Sequence, residues 1–288
     1  MWRVDRSAEL ARSLGLPGVA VEFGRVALRI TDPVVDIPWI GEEGGITADR
    51  RRARIELFDT RFAIEEGRQV TIEVGANSPS GFVENQLGTT VTALLLAQRG
   101  LFALHANAVR GPAGAILIAG DSGAGKSTAS ARLDQRGFAF LADDLSPLTL
   151  SEGEIRLEPT RRPLRLSHDA ATALDLETDR APREPFASDK LIFRVPDRVL
   201  EPVVAAVVLE TAAEGGDLTV TPLQGMTALA AAEAHLYRGW LLHEIYRSET
   251  FAWAGAVASL PIFRLVRPLS AWTIDDVADA IARLAGGD

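Results

Sequence analysis

One eight-residue stretch constrains this chain more than any other. Gly120-Asp-Ser-Gly-Ala-Gly-Lys-Ser127 satisfies the pattern G-x-x-x-x-G-K-[ST] in full. Before it runs Ala115-Ile-Leu-Ile-Ala119, apolar enough for a strand buried on both faces. After it comes a helix-forming run from Lys126 to Arg136, which Gly137 ends. A strand, a glycine loop and a helix in that order imply an α/β fold. The chemistry implied is equally specific. Gly120, Gly123 and Gly125 let the backbone wrap closely around phosphates, with its N–H groups and the helix N-terminus facing the anion. Lys126 brings a mobile positive charge to β- and γ-phosphates, and the Ser127 hydroxyl is a natural Mg²⁺ ligand. Asp121, Ser122, Ala124 and Thr128 complete the expected nucleotide cradle, with ATP and Mg²⁺ as the expected cofactors. The bland alternative is a glycine turn before a helix, matching all the fixed positions by accident.

Composition removes several other chemistries. The chain has 288 residues, a formal net charge of −9 and no cysteine. Disulfides, thiolate metal sites and cysteine nucleophiles are therefore excluded. An acidic protein repels nucleic-acid phosphates and anionic membranes unless a local basic patch overrides the field, so neither is expected as a partner. The opening MWRVDRSAELARSLG lacks the apolar core of a signal peptide, and Val203–Leu209 is about as apolar as the chain becomes. The expectation is a cytoplasmic protein.

The pattern along the chain suggests two parts, divided softly near residue 98. Residues 1–98 read as a β-rich amino-terminal region. Short strands are expected at Val19–Phe23, Val26–Ile30, Arg54–Phe58 and Val70–Val74, and a helix over Glu84–Gln98. Residues 99–288 carry the glycine loop. Strands are expected at Phe102–Val109, Phe138–Ala142 and Val203–Glu210, with hairpin strands between Leu148 and Leu166 and a sheet strand at Lys190–Val195. Helices are expected over Gln224–Tyr237 and Trp240–Ala258, and Thr273 is placed to cap a last helix carrying Ile274, Val277, Ile281 and Leu284 on one face.

Two features flank the loop. Leu141-Ala-Asp143-Asp144 closes an apolar strand downstream. A strand-end carboxylate beside such a loop serves Mg²⁺, and two adjacent ones permit more. One can organise the metal while the other accepts a proton from an attacking hydroxyl. A polar strand end with no chemistry is the competing reading. Upstream, His105 lies inside an apolar strand, where by itself a histidine is more often a satisfied core residue than a catalyst.

Taken together, His105, Gly120–Ser127 and Leu141–Asp144 resemble the catalytic domain of HPr kinase/phosphorylase and its relatives, in the same order. The resemblance is strong over Leu101 to Leu150 and weak elsewhere. It implies an α/β P-loop kinase core of the HPr kinase/PEP carboxykinase-like type with a mixed sheet, here preceded by a smaller β-rich region. It further implies Asp143 as general base toward a serine hydroxyl, Asp144 with Ser127 at the metal, and His105 and Lys126 in the active site. The Gly- and Ile-rich signature that the bifunctional enzyme carries after its Asp-Asp strand is not found. The resemblance therefore does not extend to phosphorylase activity or to HPr as substrate. It leans instead toward HPr-kinase-related proteins of peptide-modification clusters, among them lasso-peptide kinases. A homo-oligomer is a further expectation, since HPr kinases assemble as hexamers.

Three more groups are candidates. Lys190, after the proline-rich Pro182–Pro185 segment, is a possible second cation for the transferred phosphoryl group; a surface lysine is the even-odds alternative. Arg161, with Arg162 and Arg165, forms a basic cluster suited to phosphate or an acidic peptide, or else a solvated face. Tyr237, Trp240, Tyr246, Phe251 and Trp253 fall on expected helices and read first as core, second as a peptide groove. Arg50–Arg54 reads as a solvated loop. The functional expectation is an ATP- and Mg²⁺-dependent serine kinase acting on a peptide or small protein, with a lasso precursor peptide as one acceptor. A nucleotide-gated binding or ATPase module and a small-molecule kinase are the alternatives.

Overall fold

The computed structural model describes residues 2–38, 44–151, 153–160, 162–183, 190–195, 199–212, 216–269 and 272–286. The chain is a mixed α/β protein that divides into two compact units. Among the described residues, no helix is long and apolar enough to cross a membrane.

The first unit holds Met1–Phe102 with the later segment Arg238–Thr250. It opens on helix α1 (Trp2–Leu14), where strands alone were expected. Apolar residues are too sparse there for the sequence to show a clear stripe, although Leu10 is buried. A six-stranded sheet follows: β1 (Ala20–Phe23), β2 (Val35–Pro38), β3 (Gly45–Ala48), β4 (Arg52–Leu57), β5 (Thr60–Glu65) and β6 (Gln69–Glu73). Its order is β1-β6-β5-β4-β3-β2, with β1 parallel to β6 and the other pairs antiparallel. The expected strand at Val26–Ile30 is absent, β2 and β3 are additions, and so is β5. Its turn from β4 uses Phe58 and Asp59 at φ 51° and 58°. That is the backbone of a tight hairpin turn without its usual glycine, so no turn signal marks it. Leu87–Val91 winds as a π-helical turn between α2 (Phe82–Gln86) and α3 (Thr92–Ala97), inside what the pattern suggested was one helix. Helix α7 (Gly239–Ile245) also belongs to this unit.

The second unit is built on a nine-stranded sheet. Its strands are β7 (Phe102–Leu104), β8 (Ala106–Gly111), β9 (Gly114–Ala119), β10 (Ala139–Ala142), β11 (Ser146–Ser151), β12 (Glu154–Leu157), β15 (Glu201–Ala212), β16 (Thr219–Leu223) and β17 (Ile262–Pro268). The central path runs β10-β8-β9-β15-β12-β11-β7, with β17 parallel to β15 and β16 closing on β17. Strand β9 is antiparallel to β8 and parallel to β15. All six of its residues are buried, as a strand covered on both faces requires. Helices α4 (Lys126–Gln135) and α9 (Ile274–Leu284) help to cover the sheet, and Leu133, Val277 and Ile281 enter one core with Ile116, Ile118 and Val207.

Four expectations for the chain beyond residue 98 change. The run Phe102–Val109 is not one strand; it breaks at His105 between β7 and β8. The segment at Lys190–Val195 does not join the main sheet. It yields β14 (Leu191–Arg194), which pairs with β13 (Leu164–Leu166) in a separate ladder after the short helix α5 (His168–Ala173). The helical third is shorter in each piece: α6 (Met226–Ala234), α7 (Gly239–Ile245) and α8 (Arg247–Val257), the last two separated at Tyr246, whose φ of −129° is not helical. Thr273 stands at the N-cap position of α9 but makes no side-chain cap.

Of the five aromatics expected on helices, Tyr237 and Tyr246 lie between helices and are buried, as is Trp253 on α8, whereas Trp240 and Phe251 are exposed.

Candidate functional site

The loop after β9 has the backbone its glycines require. Gly120, Gly123 and Gly125 take φ of 143°, 84° and 107°. Gly120 is further pinned by space, since a Cβ there would lie 2.3 Å from the Leu209 carbonyl oxygen of β15. No side chain fits between the loop and the neighbouring strand. Lys126 begins α4, is buried, and folds its ammonium back onto the loop, donating to the carbonyls of Gly120 at 2.6 Å and Asp121 at 3.1 Å. Burial lowers its pKa, against the pull of Asp144 and Asp143, and the Lys190 charge pushes the same way as burial. Lys190 therefore belongs to the electrostatic neighbourhood of Lys126. Arg267 on β17 holds the loop from outside, donating through Nε to the Ala124 carbonyl at 3.0 Å.

Below the loop lies Asp143, with only 1% of its surface exposed. The Ser127 hydroxyl donates to its Oδ1 at 2.8 Å, and Asn107 Nδ2 donates to the same oxygen at 2.8 Å. Arg165 Nε reaches its other oxygen at 3.1 Å. A buried carboxylate needs such partners to stay charged. Asn107 is tied to both aspartates, because its Oδ1 also accepts the Asp144 backbone N–H at 3.0 Å. Helix α4 is tied in through Ser130, which takes an Asn107 amide proton at 3.1 Å.

Asp144 faces a different way. Its φ of 68° is left-handed, and its carboxylate has partners of its own. His105 Nε2 lies 2.6 Å from its Oδ1, and Arg162 donates to Oδ2 at 3.1 Å. Arg165 approaches the same oxygen at 3.4 Å and so bridges the two carboxylates. Burial works to raise the Asp144 pKa. The His105 hydrogen bond and the charges of Arg162, His105 and Arg165 overcome it, holding the carboxyl far below the usual carboxylate range. His105 is not a core residue, because 37% of its side chain is exposed. Its backbone N–H donates to the His235 carbonyl at 2.7 Å, and Tyr237 packs edge-on against its ring at 5.7 Å. His235 adds a second imidazole to the region; burial lowers its pKa, opposed by the charge of Asp121.

The structure thus brings His105, Lys126, Ser127, Asp143 and Asp144 together, with Lys190 close enough to act on Lys126. Arg162 and Arg165 sit on the carboxylates, whereas Arg161 lies outside the described residues. Thr128 follows Ser127 on α4, and Asp121 contributes its carbonyl to Lys126. Asn107, Arg267 and His235 escaped the sequence reading. Asn107 left a signal, an amide in the middle of the buried run Ala106-Asn-Ala-Val109. His235 and Arg267 left none, since each reaches the loop only through the fold. The donor set suits a hard divalent ion. Ser127 Oγ and Asp143 Oδ1, oxygens 2.8 Å apart, are the groups that would hold such an ion.

No protein-family model matches the chain, and no curated protein matches it. Among solved structures it is similar to the Hpr(Ser) kinase/phosphatase from Coxiella burnetii, at 12% identity and a TM-score of 0.32. That match covers 64% of this chain and 93% of the other.

Proposed function

We propose that this protein is an ATP- and Mg²⁺-dependent kinase of the HPr kinase-related type, which transfers the γ-phosphate to a serine hydroxyl of a peptide or small protein. The observation that carries the reading is the division of labour between adjacent carboxylates. Asp143 is buried and tied to the loop hydroxyl of Ser127, while Asp144 is turned outward against an exposed histidine. A nucleotide hydrolase needs the first arrangement. The second adds what a hydroxyl acceptor needs, a charged proton acceptor beside the phosphate loop.

The geometry supports assigning the base to Asp144 and the metal-side role to Asp143, the reverse of what the family resemblance implies. Lys126 and the loop amides would hold the β- and γ-phosphates. Ser127 and Asp143 would hold Mg²⁺, which supplies charge neutralisation on the phosphate oxygens when bound. The acceptor oxygen bonds to the γ-phosphorus as the bond to the β–γ bridging oxygen breaks, and ADP leaves. The hydroxyl proton passes to Asp144, steadied by His105. Because phosphoryl transfer has a loose transition state, a carboxylate held in its ionised form by Arg162 and Arg165 suffices as acceptor. Lys190 and Arg165 stand as cations for the charge on the transferred group. A serine near the end of a lasso precursor peptide is the acceptor that the resemblance suggests.

The test is γ-³²P-labelled ATP with Mg²⁺ and serine peptides, followed by mass spectrometry of the peptide. Wild type should place label on serine. Asp144→Asn should lose about 10²–10⁴-fold in transfer while binding ATP within a few-fold of wild type. Label found only in free phosphate would point to the nucleotide-gated ATPase instead. Full transfer by Asp144→Asn would return the base to Asp143.

A further inference from the structure

A cavity of about 300 Å³ opens beside the phosphate loop, lined by Gly125 and Thr128 and by the apolar Leu209, Ile274 and Val277. Arg267, Leu269, Trp272 and Thr273 line it too. None of the chemistry described above uses it. Its volume lies at the small end of ligand sites, enough for one compact group.

Three observations indicate what that group is. First, the floor is apolar, which disfavours a second phosphate and favours a flat ring. Second, Trp272 lines the cavity yet is 58% exposed, an indole held at the surface with a face to offer. An exposed indole beside an apolar cavity presents a broad surface on which a flat ring can stack. Third, the Thr273 hydroxyl is buried without a hydrogen-bond partner. Threonine at an N-cap ordinarily satisfies itself on the helix amides two or three residues on. Here it stands at the N-cap of α9 and makes no such bond. A buried unpaired hydroxyl costs about 1–3 kcal/mol and calls for a partner from outside. Arg267 adds a planar cation whose hydrogen bond to the Ala124 carbonyl fixes it between loop and cavity.

From these we infer that the cavity receives the nucleobase of the nucleotide whose phosphates lie in the loop, with Trp272 and Arg267 offering faces for stacking and the Thr273 hydroxyl hydrogen-bonding the heterocycle's edge. This builds on the proposal that Gly120–Ser127 holds a nucleoside triphosphate. A chain leaving the phosphates past Gly125 and Thr128, the residues that flank Lys126 and Ser127, meets the cavity directly. A base and its ring nitrogens match both the apolar floor and the unpaired hydroxyl. Binding would then divide between two independent halves of the site, phosphates in the glycine loop and base between β17 and α9.

The experiment compares the affinity of the full chain for ATP and for inorganic triphosphate by calorimetry, with Mg²⁺ present. Wild type should bind ATP at least tenfold more tightly than triphosphate. Trp272→Ala should weaken ATP about tenfold, the effect of one lost base–aromatic stack, and leave triphosphate unchanged. Thr273→Val keeps the shape, removes only the hydroxyl, and should weaken ATP several-fold. Since Trp272 is largely exposed, its variant is expected to melt with the wild type, which separates lost binding from lost fold. If triphosphate binds wild type as tightly as ATP does, or if neither variant changes ATP affinity, the base pocket is refuted and the phosphate loop stands. If wild type binds neither ligand, both readings fall.

Discussion

Two arginine-rich stretches of this chain look alike in one dimension and behave oppositely in three. Arg50–Arg54 lies in the first unit, at the turn from β3 into β4. There Asp49 accepts the backbone N–H groups of Arg51 and Arg52, each at 2.8 Å, and a forked contact from the Arg52 guanidinium. Arg50 pairs with Glu249 and stacks over Tyr246, while the Arg51 side chain is 76% exposed. These charges staple a turn and meet water. Arg162 and Arg165 lie in the second unit with side chains only 16% and 15% exposed; Arg162 pairs with Asp144, and Arg165 with both Asp143 and Asp144. The number of arginines does not distinguish the stretches. What does is whether the arginine side chains themselves stand in solvent or are withdrawn from it, because a buried ion pair is strongly coupled and an exposed one is screened.

The contrast predicts a graded series of effects. Arg165→Ala should be the most damaging, since it leaves the buried Asp143 carboxylate without its charged partner. Urea unfolding should show a loss of about 3 kcal/mol, together with lost transfer. A loss below 1 kcal/mol would mean that Asn107 and Ser127 alone hold Asp143, and the distinction between the stretches would weaken. Acid should expose the next effect. The Asp144 carboxyl is depressed in the folded state, so its stabilising contribution is fully present above the unfolded value of 3.8 and is lost as pH falls below it. In that window the unfolded chain binds a proton that the folded one refuses, worth up to about 1.4 kcal/mol per pH unit. Asp144→Asn should therefore show a shallower decline between pH 4 and pH 2 than wild type; equal slopes would assign the acid sensitivity elsewhere. Smallest of all, Arg52→Ala should cost no more than about 1 kcal/mol, because solvent screens a half-exposed pair, and should leave nucleotide binding and transfer untouched. A change in transfer would sharpen the comparison from the other side, by giving the turn a role it lacks on its geometry.

Much of the site was legible in the sequence because its constraints are local. The glycines of Gly120–Gly125 are needed for backbone angles that few other residues adopt, and Lys126 and Ser127 sit one helical step beyond them. Asp143 and Asp144 were visible as carboxylates ending an apolar strand, and β9 as an unbroken apolar run. Legibility failed where partners are distant along the chain. Nothing near His105 indicates that Asp144 will meet it, nor does anything near Arg165 indicate that it will bridge two carboxylates. The first unit was read less well for a different reason. Its turns at Phe58-Asp59 and Glu66-Gly67 use left-handed backbone mostly without glycine, so β5 had no boundary signal.

By itself the sequence determined an α/β chain with a phosphate-type loop, since periodicity and glycine stereochemistry act within a few residues. Only the tertiary structure decided how the neighbouring carboxylates divide. The fold gives the adjacent side chains different partners, the Ser127 hydroxyl for Asp143 and a partly exposed imidazole for Asp144. Dielectric and partner are properties of where a residue ends up, and no spacing along a chain encodes them.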